Sequence, residues 1–66
     1  MDEFTAGYEF AEFCMSNDEM SEYRKPSDLN MDIPADDYMM LKAEGIENPS
    51  SRQYWKGFNS RITFAK

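Results

Sequence analysis

The sequence predicts an all-α fold, a small bundle of three to four short helices forming one domain over residues 1–66. Three observations predict it. Apolar residues recur at helical rather than alternating spacing. Helix-start and helix-stop residues punctuate the chain between the apolar segments. A length of 66 residues leaves room for a single core.

The first helix is expected from about Asp2 to Met15. At about 100° per residue, Phe4, Gly7, Tyr8, Ala11, Cys14 and Met15 fall on one arc, with Asp2, Thr5, Glu9 and Glu12 opposite. Asp2 and Glu3 suit the positive end of the helix dipole. Phe13 breaks the pattern and projects into the acidic face near Glu9. Ser16-Asn17-Asp18-Glu19 ends this helix and offers a capping box of Ser16 with Glu19. A short second helix follows from Asp18 to about Arg24, because Pro26 drives Lys25 out of helical geometry.

Residues 25–33, KPSDLNMDI, read as a loop. Pro34 suits a first helical position, with Asp36 and Asp37 in the first turn of a third helix running to Gly45. Gly45-Ile46 has the form of a glycine C-cap followed by an apolar residue. The faces of this helix are ambiguous, since Met39 and Met40 cannot both point inward; Met40 is expected among the acids at the surface. Asn48-Pro49 restarts the chain as cap and first position of the last helix, which reaches about Ile62. Trp55, Phe58 and Ile62 form its apolar stripe, flanked by Tyr54, while Arg52 and Lys56 line another side. The expected core is Tyr8, Ala11, Leu41, Trp55, Phe58 and Ile62.

A chain this short buries only about 60% of its unfolded surface, so its core is marginal. Cys14 is the single cysteine and histidine is absent, which excludes an internal disulfide and leaves no zinc ligand set. The opening MDEFTAGYEF carries acids where an export signal has bases, and no apolar run approaches the ~20 residues of a membrane helix. A cytoplasmic setting is expected, with no membrane partner.

The charge distribution is uneven. Residues 1–47 hold all thirteen acids against three bases, leaving −10, whereas residues 48–66 hold Arg52, Lys56, Arg61 and Lys66 with no acid, leaving +4. An acidic body therefore precedes a basic segment, and the simplest consequence is that the two dock on each other.

Catalytic chemistry is not expected. Without histidine there is no ordinary general base for a serine or cysteine nucleophile. Asp36-Asp37 and Asp18-Glu19 are adjacent carboxylates of the kind that partner helix dipoles. Asp28, Asp32, Asp36 and Asp37 lack the glycine and glutamate positions of a calcium loop. Cys14 lies on the apolar arc among acids, the setting of a small buried hydrophobe rather than a reactive thiol. No cofactor or metal is expected.

Two binding chemistries remain. Arginines and rings in the last helix supply the ingredients of nucleic-acid binding, although Trp55, Phe58 and Ile62 are needed for the core. The acidic body, in turn, can imitate a phosphate array and occupy a basic cleft of another protein. Phe13 and Met40 among the acids have the character of interface anchors, and six methionines add adaptable contact surface.

Ala6-Gly7-Tyr8 with Ala11, then Asn48-Pro49, then Tyr54-x-x-Gly57-Phe58 resemble the ribosome modulation factor-like proteins. These are tiny two-helix bacterial and phage proteins with a Gly-Tyr helix, a proline-containing connection and an aromatic-x-x-Gly-aromatic helix. The resemblance implies ribosome binding that silences translation, with Arg52, Lys56 and Arg61 against rRNA. That family is basic, as rRNA demands; the acidic body here implies a target changed from RNA to protein. By size, acidity and lack of catalytic groups, the chain also looks like the small inhibitors that phages make against host enzymes or defence complexes.

The leading expectation is thus a non-enzymatic inhibitor that blocks a basic, nucleic-acid-binding surface of a host protein. Its contact residues are Glu9, Glu12, Phe13, Asp36 and Asp37, and it does not bind DNA or RNA directly. A hibernation factor is the alternative, and homodimers are compatible with either.

Overall fold

The computed structural model describes residues 1–23 and 25–64. Arg24, at the expected end of the second helix, and Lys66, the last charge of the basic segment, lie outside the described residues. The described chain is mostly helical, with three α-helices, α1 (Glu3–Ser16), α2 (Ala35–Ala43) and α3 (Ser51–Phe64), and a 3-10 segment at Asp18–Tyr23.

Local chemistry sets each boundary. Asp2 caps α1, its Oδ1 accepting the Thr5 N–H at 2.8 Å. This bond holds the Asp2 carboxyl below its ordinary range. Ser16 stays inside α1, so the expected capping box does not form. Asn17 punctuates instead, its Oδ1 accepting the Glu19 N–H at 3.0 Å and its carbonyl the Met20 N–H at 2.9 Å. One residue later, then, the chain has tightened into 3-10 rather than α geometry.

Pro34 precedes α2 as its N-cap instead of opening it. At the other end Gly45 adopts φ +98°, and two bonds complete a Schellman motif: Gly45 N–H to Lys42 C=O at 3.0 Å and Ile46 N–H to Leu41 C=O at 3.1 Å. The last helix starts later than Asn48-Pro49 suggests. Ser50 is the residue that caps it, with Oγ accepting the Gln53 N–H at 3.2 Å and C=O accepting the Tyr54 N–H at 3.0 Å.

α1 and α3 form the central pair and run in the same direction. Glu3 meets Ser50 near one end, and Glu12 meets Arg61 toward the other. Their backbones touch at two glycines. A Cβ added at Gly7 would overlap the Tyr54 carbonyl, and one at Gly57 the Phe4 carbonyl. This glycine crossing brings Ala11 and Cys14 onto Tyr54, Trp55, Phe58 and Ile62, all buried together with Leu41.

The crossing also corrects the apolar arc of α1. Buried on this helix are Ala6, Gly7, Ala11 and Cys14, with Phe10 and Met15 partly buried beside them. Phe4 is exposed and Tyr8 only half-buried, so Tyr8 leaves the core and lies beneath the Arg61 guanidinium, 5.9 Å from ring to charge. The reason is that α1 has neighbours on two sides. α3 takes the Gly7-Ala11-Cys14 line and, through Tyr54, Trp55 and Phe58, meets Phe10, while the other side of Ala6 and Phe10 lines a cleft shared with Pro34 and Met40.

The loop is tied to α3 from a distance. The Asn59 amide pairs with the Ser27 peptide in both directions, accepting from its N–H at 2.6 Å and donating to its C=O at 2.9 Å. Trp55 Nε1–H donates to the Met31 carbonyl at 2.8 Å. Ile33 then enters the core. α2 follows as a lid whose Leu41 is fully buried and whose Met40 packs partly against the core. Met39, not Met40, is the methionine at the surface, 69% exposed, because the inward face of α2 follows Asp37, Met40 and Leu41 at i, i+3 and i+4.

Candidate functional site: an acidic cleft with an aromatic rim

Between α1 and α2 lies a cleft of about 360 Å³. Its less exposed lining is Ala6, Phe10, Pro34, Asp37 and Met40, and its exposed edge is Met1, Glu9, Phe13 and Asp36. Glu9 and Phe13 reach it together because they are one helical turn apart on α1. Asp36 and Asp37 reach it from the first turn of α2.

Phe13 is 54% exposed. Its ring stacks on Phe10 with centroids 6.5 Å apart and planes 17° from parallel. Phe10 in turn contacts Tyr54, Trp55 and Phe58 at 5.7–6.4 Å. A column of rings therefore connects the cleft edge to the core.

Asp37 is tied to α3. The wholly buried Tyr54 donates its O–H to Asp37 Oδ2 at 2.5 Å. Burial, and after it the Asp37 carboxylate, raises the Tyr54 phenol far above its ordinary range. Met1 contributes an ammonium to the edge, but Glu44 pairs with it at 2.8 Å. The Glu9, Asp36 and Asp37 carboxylates thus set the sign of the cleft.

Four of the five residues expected to contact a partner, Glu9, Phe13, Asp36 and Asp37, line this one cleft. Glu12 does not. It sits on the α3 side of α1, where its Oε2 meets Arg61 Nε at 3.5 Å. That contact also bears on the basic residues: Arg61 is engaged by Glu12 and Tyr8, whereas Arg52 and Lys56 are exposed on α3. The acidic body and the basic helix do dock, through an apolar interface with this ion pair at its margin. Cys14 is fully buried, and burial raises its thiol above the ordinary value.

Phe10 and Met1 belong to the cleft and the sequence reading assigned neither. For Phe10 a signal existed, since Ala6, Phe10 and Phe13 form a second apolar line at i, i+4 and i+7. Among the described residues no helix is long and apolar enough to cross a membrane, and no three His, Cys, Asp or Glu side chains converge as a metal site requires. No family model, no curated protein and no solved structure matches the chain.

Proposed function

We propose that this protein is a non-enzymatic, cytoplasmic binding protein that uses the α1–α2 cleft to cover a basic, nucleic-acid-binding surface on a protein partner. The partner class this reading favours is a host protein or defence complex confronted by a phage or mobile-element inhibitor. One observation carries it: a half-exposed aromatic ring, stacked on Phe10 and through it joined to the core, stands at a cleft edged by Glu9 and Asp36. Ordinary solvated acidic surfaces do not need an anchored ring. Interfaces do, with an aromatic anchor supplying affinity and surrounding charges supplying orientation and encounter rate.

The two contributions separate kinetically. Glu9→Lys with Asp36→Lys should slow association with the partner and flatten its salt dependence. Phe13→Ala should leave association nearly unchanged and speed dissociation, weakening binding by about 2 kcal/mol or more. Because Phe13 is exposed, folding should survive. Equal effects of both changes on association alone would leave no anchor and refute the reading.

A second reading, ribosome association through α3, draws on the exposed Arg52 and Lys56. It is weakened by Arg61, whose guanidinium is turned to Glu12 and Tyr8. Co-sedimentation with ribosomes that disappears on Arg52→Glu or Lys56→Glu would put this reading first.

A further inference from the structure

The cleft combines features that together select one kind of side chain. Its floor of Ala6, Pro34 and Met40 is apolar. Its edge carries two exposed carboxylates, Glu9 and Asp36, and the Met1 ammonium, whose charge is taken up by Glu44 at 2.8 Å. Asp37, a third carboxylate in the lining, has one oxygen committed to a buried phenol and is fixed in position by it. The Phe13 ring stacks on Phe10 with more than half its surface open. A purely apolar plug would crowd Glu9 and Asp36 while offering them, and the second oxygen of Asp37, no hydrogen bond, which is costly. A compact ammonium would satisfy the charge but prefers to keep its water.

A guanidinium on an aliphatic stem fits all four features. Its methylenes cover an apolar floor while the head stays polar. Its planar fork pairs with carboxylates through two parallel N–H···O bonds. Its weak hydration and flat faces suit stacking on an aromatic ring. We propose that the α1–α2 cleft is a receptor for a single arginine side chain of the partner, with the stem on Ala6, Pro34 and Met40 and the guanidinium among the Glu9, Asp36 and Asp37 carboxylates beside Phe13. This rests on the reading that the cleft is the contact surface, and it names the chemical group recognised there.

The test uses the whole protein and four capped tripeptides, Ac-Gly-X-Gly-NH2, with X arginine, lysine, citrulline or norleucine. The readout is NMR shifts of the Met40 and Ala6 methyl groups during titration. Arginine should bind in the millimolar range, more weakly as salt rises. Citrulline keeps the shape and loses the charge, and should bind about ten- to a hundredfold more weakly, the usual difference for a hydrogen bond to a charged group. Lysine should fall between them and norleucine should not bind measurably. Glu9→Gln with Asp36→Asn should weaken arginine binding, as should Phe13→Leu, whereas Glu47→Gln, outside the cleft, removes one charge without effect.

Norleucine binding as well as arginine would overturn the proposal, as would methyl groups that do not move at millimolar arginine peptide. Either failure is distinguishable from failure of the functional reading. The Glu9, Asp36 and Phe13 variants would still alter binding to the intact partner if the cleft is the contact surface but takes a different group.

Discussion

Gly7→Ala offers a test in which two physical effects disagree in sign. Gly7 lies inside α1, where exchange for alanine should stabilise an isolated helix by about 1 kcal/mol. In the folded chain, however, the new Cβ would overlap the Tyr54 carbonyl oxygen and carbon, which belong to the backbone of α3, and the Cβ itself is fixed to the backbone of α1. No rotamer change relieves that overlap. α1 and α3 must separate, loosening Ala11 and Cys14 from Trp55 and Phe58. Overpacking of this kind costs about 3 kcal/mol at the upper end of its usual range, which leaves a net loss of about 2 kcal/mol after the helical gain. A 66-residue domain has roughly 3–10 kcal/mol in total. The melting temperature should therefore fall by about 8–16 °C.

Circular dichroism at the helical band, followed together with Trp55 fluorescence, reads this directly. Gly57→Ala should behave alike, because its Cβ would meet the Phe4 carbonyl at the same crossing. The double variant should lose less than the sum, since helices already parted by one methyl have less overlap left to relieve. Gly45→Ala is the contrasting control. Its φ of +98° strains any L-residue while the space around it is open, so stability falls by about 1 kcal/mol with Trp55 emission unchanged. A Gly7→Ala protein as stable as the parent, or more so, would refute the glycine crossing and the register of α1 on α3 with it.

Alkaline pH tests the buried phenol. Tyr54 is raised above its unfolded value near 10, so its contribution to stability is complete below pH 10. It is then lost by about 1.4 kcal/mol per pH unit as the unfolded chain ionises and the folded one does not. Tyr54→Phe should flatten that limb and cost about 1 kcal/mol at neutral pH; an equally steep limb would show that Tyr54 is not its source. Asn59→Ala should lose about 1–3 kcal/mol through its two bonds to Ser27. Hydrogen exchange at the Ser27 amide should accelerate beyond the change seen in α3, and uniform acceleration would contradict a local tether.

The last helix was legible in the sequence because Trp55, Phe58 and Ile62 repeat at one helical face with bases elsewhere, and all three are buried. The first helix was legible as a helix and in most of its inner face: Gly7, Ala11 and Cys14 of the expected arc are buried and Met15 partly so. Phe4 and Tyr8 fall at the margin of that face instead, and Ala6, outside the arc, is buried because a second group of side chains meets α1 there. Caps shifted by one or two residues at Asn17, Pro34 and Ser50 because several capping residues stand side by side at each boundary. In the cleft, Glu9 and Phe13 could be paired from their spacing. That Asp36 and Asp37 would face them could not, since it follows from a loop anchored by Asn59 and Trp55 far along the chain. The Arg61–Glu12 contact, 49 residues apart, was beyond sequence spacing for the same reason.

If the acidic cleft occupies a surface its partner otherwise gives to nucleic acid, the two ligands must exclude each other. The direct measurement is competition at equilibrium. A partner isolated by affinity from bacterial lysate is loaded with its own fluorescently labelled DNA or RNA, and this protein is titrated in, with the Phe13→Ala and Glu9→Lys/Asp36→Lys variants alongside. The parent protein should displace the nucleic acid fully, both variants should do so only at higher concentration, and the protein itself should not shift free DNA or RNA at physiological salt. A ternary complex in which protein and nucleic acid bind together without interference would contradict the proposed role of the cleft.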